Sequence, residues 1–247
     1  MRLASIADIH GNALALEAVL ADIDRLSITD IVNLGDVFSG PLDASGTAKL
    51  LEGRKISTLC GNHDRHLIEQ DPADMGPSDR VAYDQLSPEH LAWLRTLPAG
   101  LTLWDDVYAC HGTPRADDCY WMEQVEPGGI IRQSGLSELE AELNEEARRA
   151  SLILCGHTHI PRMARLSSGA LLVNPGSVGC PAYNDATPCP HVMQTGTPNA
   201  SYAVLEKREI GWDVTFRSIP YDHGAAAKQA RANGREDWAK GLESGWL

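Results

Sequence analysis

Five short, mostly apolar runs in the chain each stop at a small cluster of His, Asp or Asn. Leu3 to Ala7 runs into Asp8-Ile9-His10, and Ile31 to Leu34 into Gly35-Asp36. Ile56 to Cys60 leads into Gly61-Asn62-His63-Asp64, Val107 to Cys110 into His111-Gly112, and Leu152 to Cys155 into Gly156-His157-Thr158-His159. Short apolar runs bounded by glycine read as buried strands. Five in order predict neighbouring strands that bring polar side chains to a common edge of a sheet. In sheets with crossover connections that edge binds ligands.

The segments between the runs fit this picture in the first third. Asn12 is placed to cap a helix carrying Leu14, Leu16, Ala18, Val19, Leu20 and Ile23, spaced for one apolar face. A loop with Gly40-Pro41 precedes a helix over Ala44 to Glu52. The resulting strand-helix-strand-helix-strand order predicts parallel pairing. From Arg65 to Gly100 the pattern is mostly helical, broken at Asp71-Pro72 and Met75-Gly76-Pro77, with a new helix from Ser87-Pro88-Glu89 through Leu94. Gly128-Gly129 marks a loop. Ser137-Glu138-Leu139-Glu140 reads as a capping box opening a helix to about Arg149. Beyond His159 short strands follow at Leu171 to Val173, Tyr202 to Glu206 and Trp212 to Ile219, the last alternating as a half-buried antiparallel strand does. Residues 180 to 199 read as an unstructured insertion, and Gly224 to Leu247 as a helix with a loose end. No linker divides the chain, so residues 1 to 247 are expected to form one domain.

Composition narrows the classes of function. A hydrophobic content of 43% and a charged content of 22% are ordinary for a soluble globular protein. The formal charge of −13 argues against non-specific binding of nucleic acid, which needs a basic footprint. An anionic substrate would therefore need local positive charge, which bound cations would supply. The first apolar run is too short for a signal peptide, and no stretch approaches the ~20 apolar residues of a membrane span. Cys60, Cys110 and Cys155 end buried runs and read as reduced core residues, which favours a cytoplasmic location. Cys180, Cys189 and His191 match no common zinc spacing.

The clusters carry the chemistry. Asp8 and His10, like His157 and His159, stand two apart, so on extended backbone each pair faces one way. Taken singly, each cluster has a plainer explanation: Asp8 as a helix cap, Asp36 or Asn62 as a turn residue, His111 as a core histidine. Leaving Asp64 aside, together they offer two Asp, five His and one Asn, more than one cation needs.

The set Asp8-x-His10, Gly35-Asp36, Gly61-Asn62-His63-Asp64, His111 and Gly156-His157-Thr158-His159 resembles the signature of the calcineurin-like metallophosphoesterases, and most resembles their small bacterial phosphodiesterase-like branch. The motifs span residues 1 to 160, and Asn174-Pro175-Gly176-Ser177 and Ala200 to Tyr202 extend the likeness. The resemblance implies an α/β fold, a four-layer α/β/β/α sandwich of two mixed sheets flanked by helices. It implies one divalent ion held by Asp8, His10, Asp36 and His159, and a second held by Asp36, Asn62, His111 and His157, with Asp36 bridging. Mixed N and O donors suit Mn, Fe, Zn, Co or Ni better than Mg or Ca. A pair of cations ~3.5–4 Å apart activates a bridging water and clamps the phosphoryl oxygens during in-line displacement. The implied activity is hydrolysis of a phosphate ester, by a phosphodiesterase or broad phosphatase on small molecules or nucleotides. His63 is implied as general acid or transition-state stabiliser, and Asp64 as a structural partner of its loop.

The departures from the pattern bear on the substrate. Phosphoprotein phosphatases of the superfamily carry an Asp three residues after the bridging Asp, where this chain has Ser39, and an Arg where it has Cys60. Both differences argue against a Ser/Thr protein phosphatase. Arg115 is the candidate for an anion-binding fork in their place. Tyr120 and Trp121 suit either an aromatic leaving group or core packing. A non-catalytic scaffold of the same fold is the rival from another class, and the intact ligand positions argue against it.

Overall fold

A computed structural model describes residues 1–247. The first third contains β1 (Arg2–Ile6), α1 (Ala13–Arg25), β2 (Asp30–Asn33), α2 (Ala44–Leu51), β3 (Ile56–Thr58) and α3 (Asn62–Glu69). The middle adds α4 (Pro77–Tyr83), α5 (Pro88–Leu94), β4 (Gly100–Leu103), β5 (Val107–Cys110), β6 (Glu123–Glu126), β7 (Ile130–Gln133), α6 (Leu136–Ala141) and α7 (Glu145–Arg149). Then come β8 (Leu152–Leu154), β9 (Arg162–Arg165), β10 (Leu171–Asn174), β11 (Ala182–Asp185), β12 (His191–Gln194), β13 (Ala200–Arg208), β14 (Gly211–Ile219), α8 (His223–Ala232) and α9 (Glu236–Ser244).

Two five-stranded mixed sheets form the body, one ordered β14-β13-β1-β2-β3 and the other β4-β5-β8-β10-β9. β1, β2 and β3 pair in parallel, as do β5 and β8, so their carboxyl ends share a direction within each sheet. Strand alternation then builds the layers. Leu3, Val32, Leu34 and Leu205 of the first sheet meet Val107, Ala109, Leu152, Leu154 and Val173 of the second in a dry core between the sheets. Their neighbours Ala4, Ile6, Tyr202 and Val204 face outward onto α1. On the far side, Tyr108, Cys110, Ile153 and Leu172 face Leu139 of α6 and Ala147 of α7. The order of layers is α/β/β/α, as the resemblance implies.

Local chemistry explains the ends of several elements. Asn12 caps α1, its side-chain oxygen accepting from the Ala15 N–H at 3.1 Å, and Leu16, Val19, Leu20 and Ile23 form the buried stripe. Asp43 caps α2 through the Gly46 N–H at 2.7 Å. The capping box expected at Ser137 is displaced by two residues. Gly135 is the cap, and Glu138 accepts its N–H at 2.7 Å. The single helix expected to Arg149 is two short ones, since Asn144 caps a fresh start by accepting the Ala147 N–H.

Two further expectations are corrected. Residues 180 to 199 are not unstructured but hold the β11–β12 hairpin, in which Ala182, His191 and Met193 are buried. The loose end is α9, which packs with α8 over Leu42 and Leu14 through Ala226, Ala230, Ala239 and Leu242. Small alanines allow that close approach but give little periodic signal in the sequence. No helix is long and apolar enough to cross a membrane.

Candidate metal centre

The polar clusters at the strand exits converge. Asp8 and His10 follow β1, Asp36 follows β2, Asn62 opens α3 after β3, His111 follows β5, and His157 and His159 follow β8. Three of these strands belong to one sheet and two to the other. The groups therefore meet across the end of the sandwich, not along the edge of one sheet as the apolar runs alone suggested.

Backbone conformation places them. Asp8, His10, Asp36, His157 and His159 have φ of 54°, 51°, 55°, 68° and 63°. Non-glycine residues avoid this left-handed region, and such strain, about 1–3 kcal/mol each, persists where surroundings enforce it and clusters at functional sites. The pairs 8/10 and 157/159 thus converge through left-handed turns and not through extended alternation. Backbone bonds hold the first turn, from the Asp8 N–H to Gly35 O at 3.0 Å and the His10 N–H to Asp36 O at 2.9 Å. Ser177 donates its hydroxyl to Asp8 O at 2.7 Å, and Asn174 donates to Gly156 O at 2.8 Å, so the Asn174–Ser177 turn braces both ligand loops. Asp64 accepts the N–H groups of Asp36, Val37 and Gly61 at 2.8, 2.9 and 3.1 Å. Gly61 permits this packing, because a Cβ there would lie 2.2 Å from Asp36 Oδ1.

Three histidines are held in one tautomer. Nδ1 of His10 meets Ser39 O at 2.6 Å, Nδ1 of His111 meets Leu34 O at 2.8 Å, and Nδ1 of His159 meets Cys180 O at 2.7 Å. A carbonyl only accepts, so each Nδ1 carries a proton, and in the neutral imidazole that a metal ligand must be each Nε2 presents a lone pair. In that neutral form the lone pairs face other acceptors. His10 Nε2 lies 3.2 Å from His159 Nε2, His111 Nε2 lies 3.1 Å from Asn62 Oδ1, and the buried Asp8 Oδ2 has no partner at all. Acceptors converging on acceptors in a buried site call for cations between them, and backbone carbonyls on the remote nitrogens are the usual support of metal-ligating histidines. Donor atoms of Asp8, His10 and His159 lie within 4.8 Å of one another, as do those of Asp36, His111 and His157. Asp36 Oδ2 reaches both groups, 3.8 Å from His10 Nε2 and 3.3 Å from His111 Nε2. Sequence reasoning thus named a set of residues that the fold brings together.

Without cations the buried Asp8 and Asp36 carboxylates are offset by protons on histidines. Burial lowers His10 to about 4 and His157 to about 3, while at His111 the Asp36 and Asp8 carboxylates outweigh burial and push it up to about 9. His159 is raised in the same way by Asp8. Protons on His111 and His159 and divalent cations are alternative means of neutralising the buried carboxylates.

His63 stands beside this centre at the N-terminus of α3, its N–H donating to Asp36 Oδ1 at 2.9 Å. Its Nδ1 lies 3.0 Å from Asp79 Oδ1, which also accepts the Ser39 hydroxyl. Burial opposes protonation of the ring, but the Asp36 charge and the Asp79 hydrogen bond raise it to about 8. The carboxylate absent at position 39 therefore arrives from α4, braced by Ser39. No local pattern marks Asp79 in the sequence.

A cleft of about 440 Å³ opens from these residues. His63, His66 and Ser78 line one side, and Tyr183, Asn184 and Asp185 of the hairpin the other, with Arg235 and Trp238 at α9. Trp238 meets His10 edge-on at 5.7 Å and carries the Arg235 guanidinium 5.8 Å from its ring centre. Arg235 bonds Asp237 and Ser78 and is the one Lys or Arg in the lining. Arg115, expected there, is exposed, donates to Ala141 O at 3.3 Å and does not line the cleft. Trp121 is buried and donates to Leu139 O, a core role. Tyr120 packs on His157 at 5.1 Å and shares a 2.7 Å hydroxyl bond with Tyr183, whose ring lies 4.6 Å from His159. Cys189 donates to Glu126 O and His191 bonds Tyr120, while Cys180 lies against Ala182 O, so these three are spent separately.

Comparison with known proteins places the chain in a family and among solved folds. The sequence model of the calcineurin-like phosphoesterase superfamily domain matches residues 1–206. An uncharacterized protein of Methanocaldococcus jannaschii, MJ0912, is 23% identical over 260 residues, covering 96% of this chain and 94% of its own. The crystal structure of a metallophosphoesterase from Sphaerobacter thermophilus superposes with a TM-score of 0.73 at 28% identity, over 99% of both chains. That of the hypothetical protein PH1004 from Pyrococcus horikoshii OT3 superposes at 0.75 with 21% identity, over 99% of this chain and 98% of that one.

Proposed function

The chain belongs to the calcineurin-like phosphoesterase superfamily, and from that membership we propose that it hydrolyses a small phosphate ester at a pair of divalent transition-metal ions. The observation that carries this reading is the convergence of Nε2 of His10, His111 and His159 on one another and on Asp8, Asp36 and Asn62 oxygens in a buried site. Asp8, His10, Asp36 and His159 would hold one ion, and Asp36, Asn62, His111 and His157 the other, with manganese, iron, zinc, cobalt and nickel all compatible with the donors. When bound, such a pair lowers the pKa of a water nucleophile and neutralises phosphoryl oxygens.

The chain's own residues do the rest. Carbonyls of Ser39, Leu34 and Cys180 keep three imidazoles aimed at the centre. Asp79 fixes the ring of His63 through Nδ1, which leaves Nε2 as the nitrogen available to protonate a leaving oxygen. Arg235 offers the cleft its guanidinium, suited to a second anionic group of the substrate. A cleft of about 440 Å³, walled by α9 and the hairpin, fits a molecule of nucleotide size better than a folded phosphoprotein surface.

The test is hydrolysis of a chromogenic phosphomonoester and a chromogenic phosphodiester by metal-stripped protein, with Mn, Ni, Co, Zn or Mg returned singly. Metal-dependent cleavage of either is expected, and cleavage of the diester would point to nucleotides and related diesters. Two bound equivalents with no turnover of any phosphate ester would favour a scaffold.

A further inference from the structure

We propose that His63, His66 and Asp79 form a third cation site, weaker than the central pair and inhibitory when occupied, that takes a first-row transition metal. The inference rests on the role given above to His63. Donor atoms of the three side chains lie within 4.8 Å of one another. His63 Nδ1 is 3.0 Å from Asp79 Oδ1, and His66 Nδ1 is 4.0 Å from Asp79 Oδ2. Ligands about 2.0–2.1 Å from a tetrahedral ion are themselves roughly 3.3 Å apart, so only small side-chain shifts close the site.

The supports are already built. His63 and His66 stand three apart on α3, which stacks them on one helical face, with ring centres 5.4 Å apart. Asp79 is held from behind by Ser39, and its side chain is only 8% exposed, whereas those of His63 and His66 are 36% and 27% exposed and open to solvent. Asp79 Oδ2 accepts no hydrogen bond, and His66 Nδ1 makes none, so two of the three donors are uncommitted. Two imidazoles and one carboxylate are the donors that iron, cobalt, nickel and zinc favour.

Three protein ligands bind more weakly than the bridged sets of four, so the site fills last. Occupation would draw Nδ1 of His63 away from its bond with Asp79 and pin the ring to α4. Turnover should therefore rise with added metal and then fall.

Metal-stripped wild type, His66→Ala, Asp79→Asn and Asp36→Ala would be dialysed against graded cobalt or zinc and their metal content measured, with melting curves to check folding. Wild type should reach three equivalents, His66→Ala and Asp79→Asn two. Asp36→Ala should retain one, held outside the central pair. Each protein's activity would be compared with its own maximum, and His66→Ala should lose the decline at high metal. Wild type saturating at two equivalents, or His66→Ala keeping the third equivalent or the decline, would overturn the site. If wild type and Asp36→Ala both bound one equivalent that His66→Ala lost, the third site would stand and the paired centre would fall.

Discussion

Nδ1 of His63 and Oδ1 of Asp79 are 3.0 Å apart, joining the N-terminus of α3 to α4 beside the metal ligands. Because Ser39 also donates to that oxygen, the carboxylate is fixed from two sides before it meets the ring. Asp79→Asn keeps the shape but removes the charge and can present the wrong hydrogen-bonding partner to Nδ1. Turnover should fall about tenfold to a thousandfold, within what proton transfer contributes, while KM and two central metal equivalents remain. Steady-state kinetics with metal analysis on the same sample checks this. An unchanged kcat would remove Asp79 from the mechanism.

His63→Ala separates proton delivery from metal binding. It should keep both central ions and lose about 10²–10⁴ in rate. The loss should shrink for a substrate whose leaving group is already a good one, such as a nitrophenolate, relative to an alkyl ester. Equal losses on both would show that His63 does not protonate the leaving oxygen.

Asp36→Ala removes the carboxylate that approaches both donor groups, 3.8 Å from His10 and 3.3 Å from His111. Both central ions and nearly all activity should go together. Retention of either ion with normal turnover would mean that Asp36 does not bridge.

These three residues were legible to very different degrees. Asp36 and His63 sit where an apolar run ends in glycine, and the rarity of His and Asp in buried strand exits makes each cluster conspicuous. Asp79 lies in the first turn of a seven-residue helix, where an acidic side chain is ordinary, and only the packing of α4 against α3 gives it meaning. Arg235 and Trp238 were equally silent, because their position over the cleft depends on α9 docking against the hairpin. The hairpin itself hid in a segment rich in Pro, Thr and Asn, whose strands are only four residues each. Arg115 stands four residues after His111 in sequence, yet its side chain turns to Ala141 O and away from the cleft. Ligand chemistry is local in sequence, and the walls that select a substrate are not.

Arg235→Gln tests those walls. If the guanidinium meets a second anionic group, its loss should cost about 1.5–3 kcal/mol of binding, roughly a tenfold to hundredfold rise in KM, with kcat little changed. A phosphomonoester too small to reach α9 should be unaffected. Loss of kcat on both substrates would make Arg235 a structural partner of Asp237 and Ser78 instead.

Far from the cleft, Asp22 on α1 ties the helix to the sheet it covers. It accepts from the buried Tyr202 hydroxyl at 2.7 Å, from Arg217 at 2.9 Å, and from Arg25. Burial would raise its carboxyl, but these hydrogen bonds outweigh it and hold the group below the ordinary 3.8. A carboxylate with a lowered folded-state pKa adds stability that is complete above its unfolded value and lost as pH falls through the folded one. Asp22 should therefore contribute fully above about pH 5 and progressively less below about pH 4. Arg25 and Arg217 are partly open to water, so the contribution is modest. Asp22→Asn should lower the melting temperature at pH 7 and flatten its decline between pH 5 and pH 3, measured on metal-free protein to set aside linkage at the centre. A variant that melts in parallel with wild type across that range would show that Asp22 has the same pKa in the folded and unfolded chain.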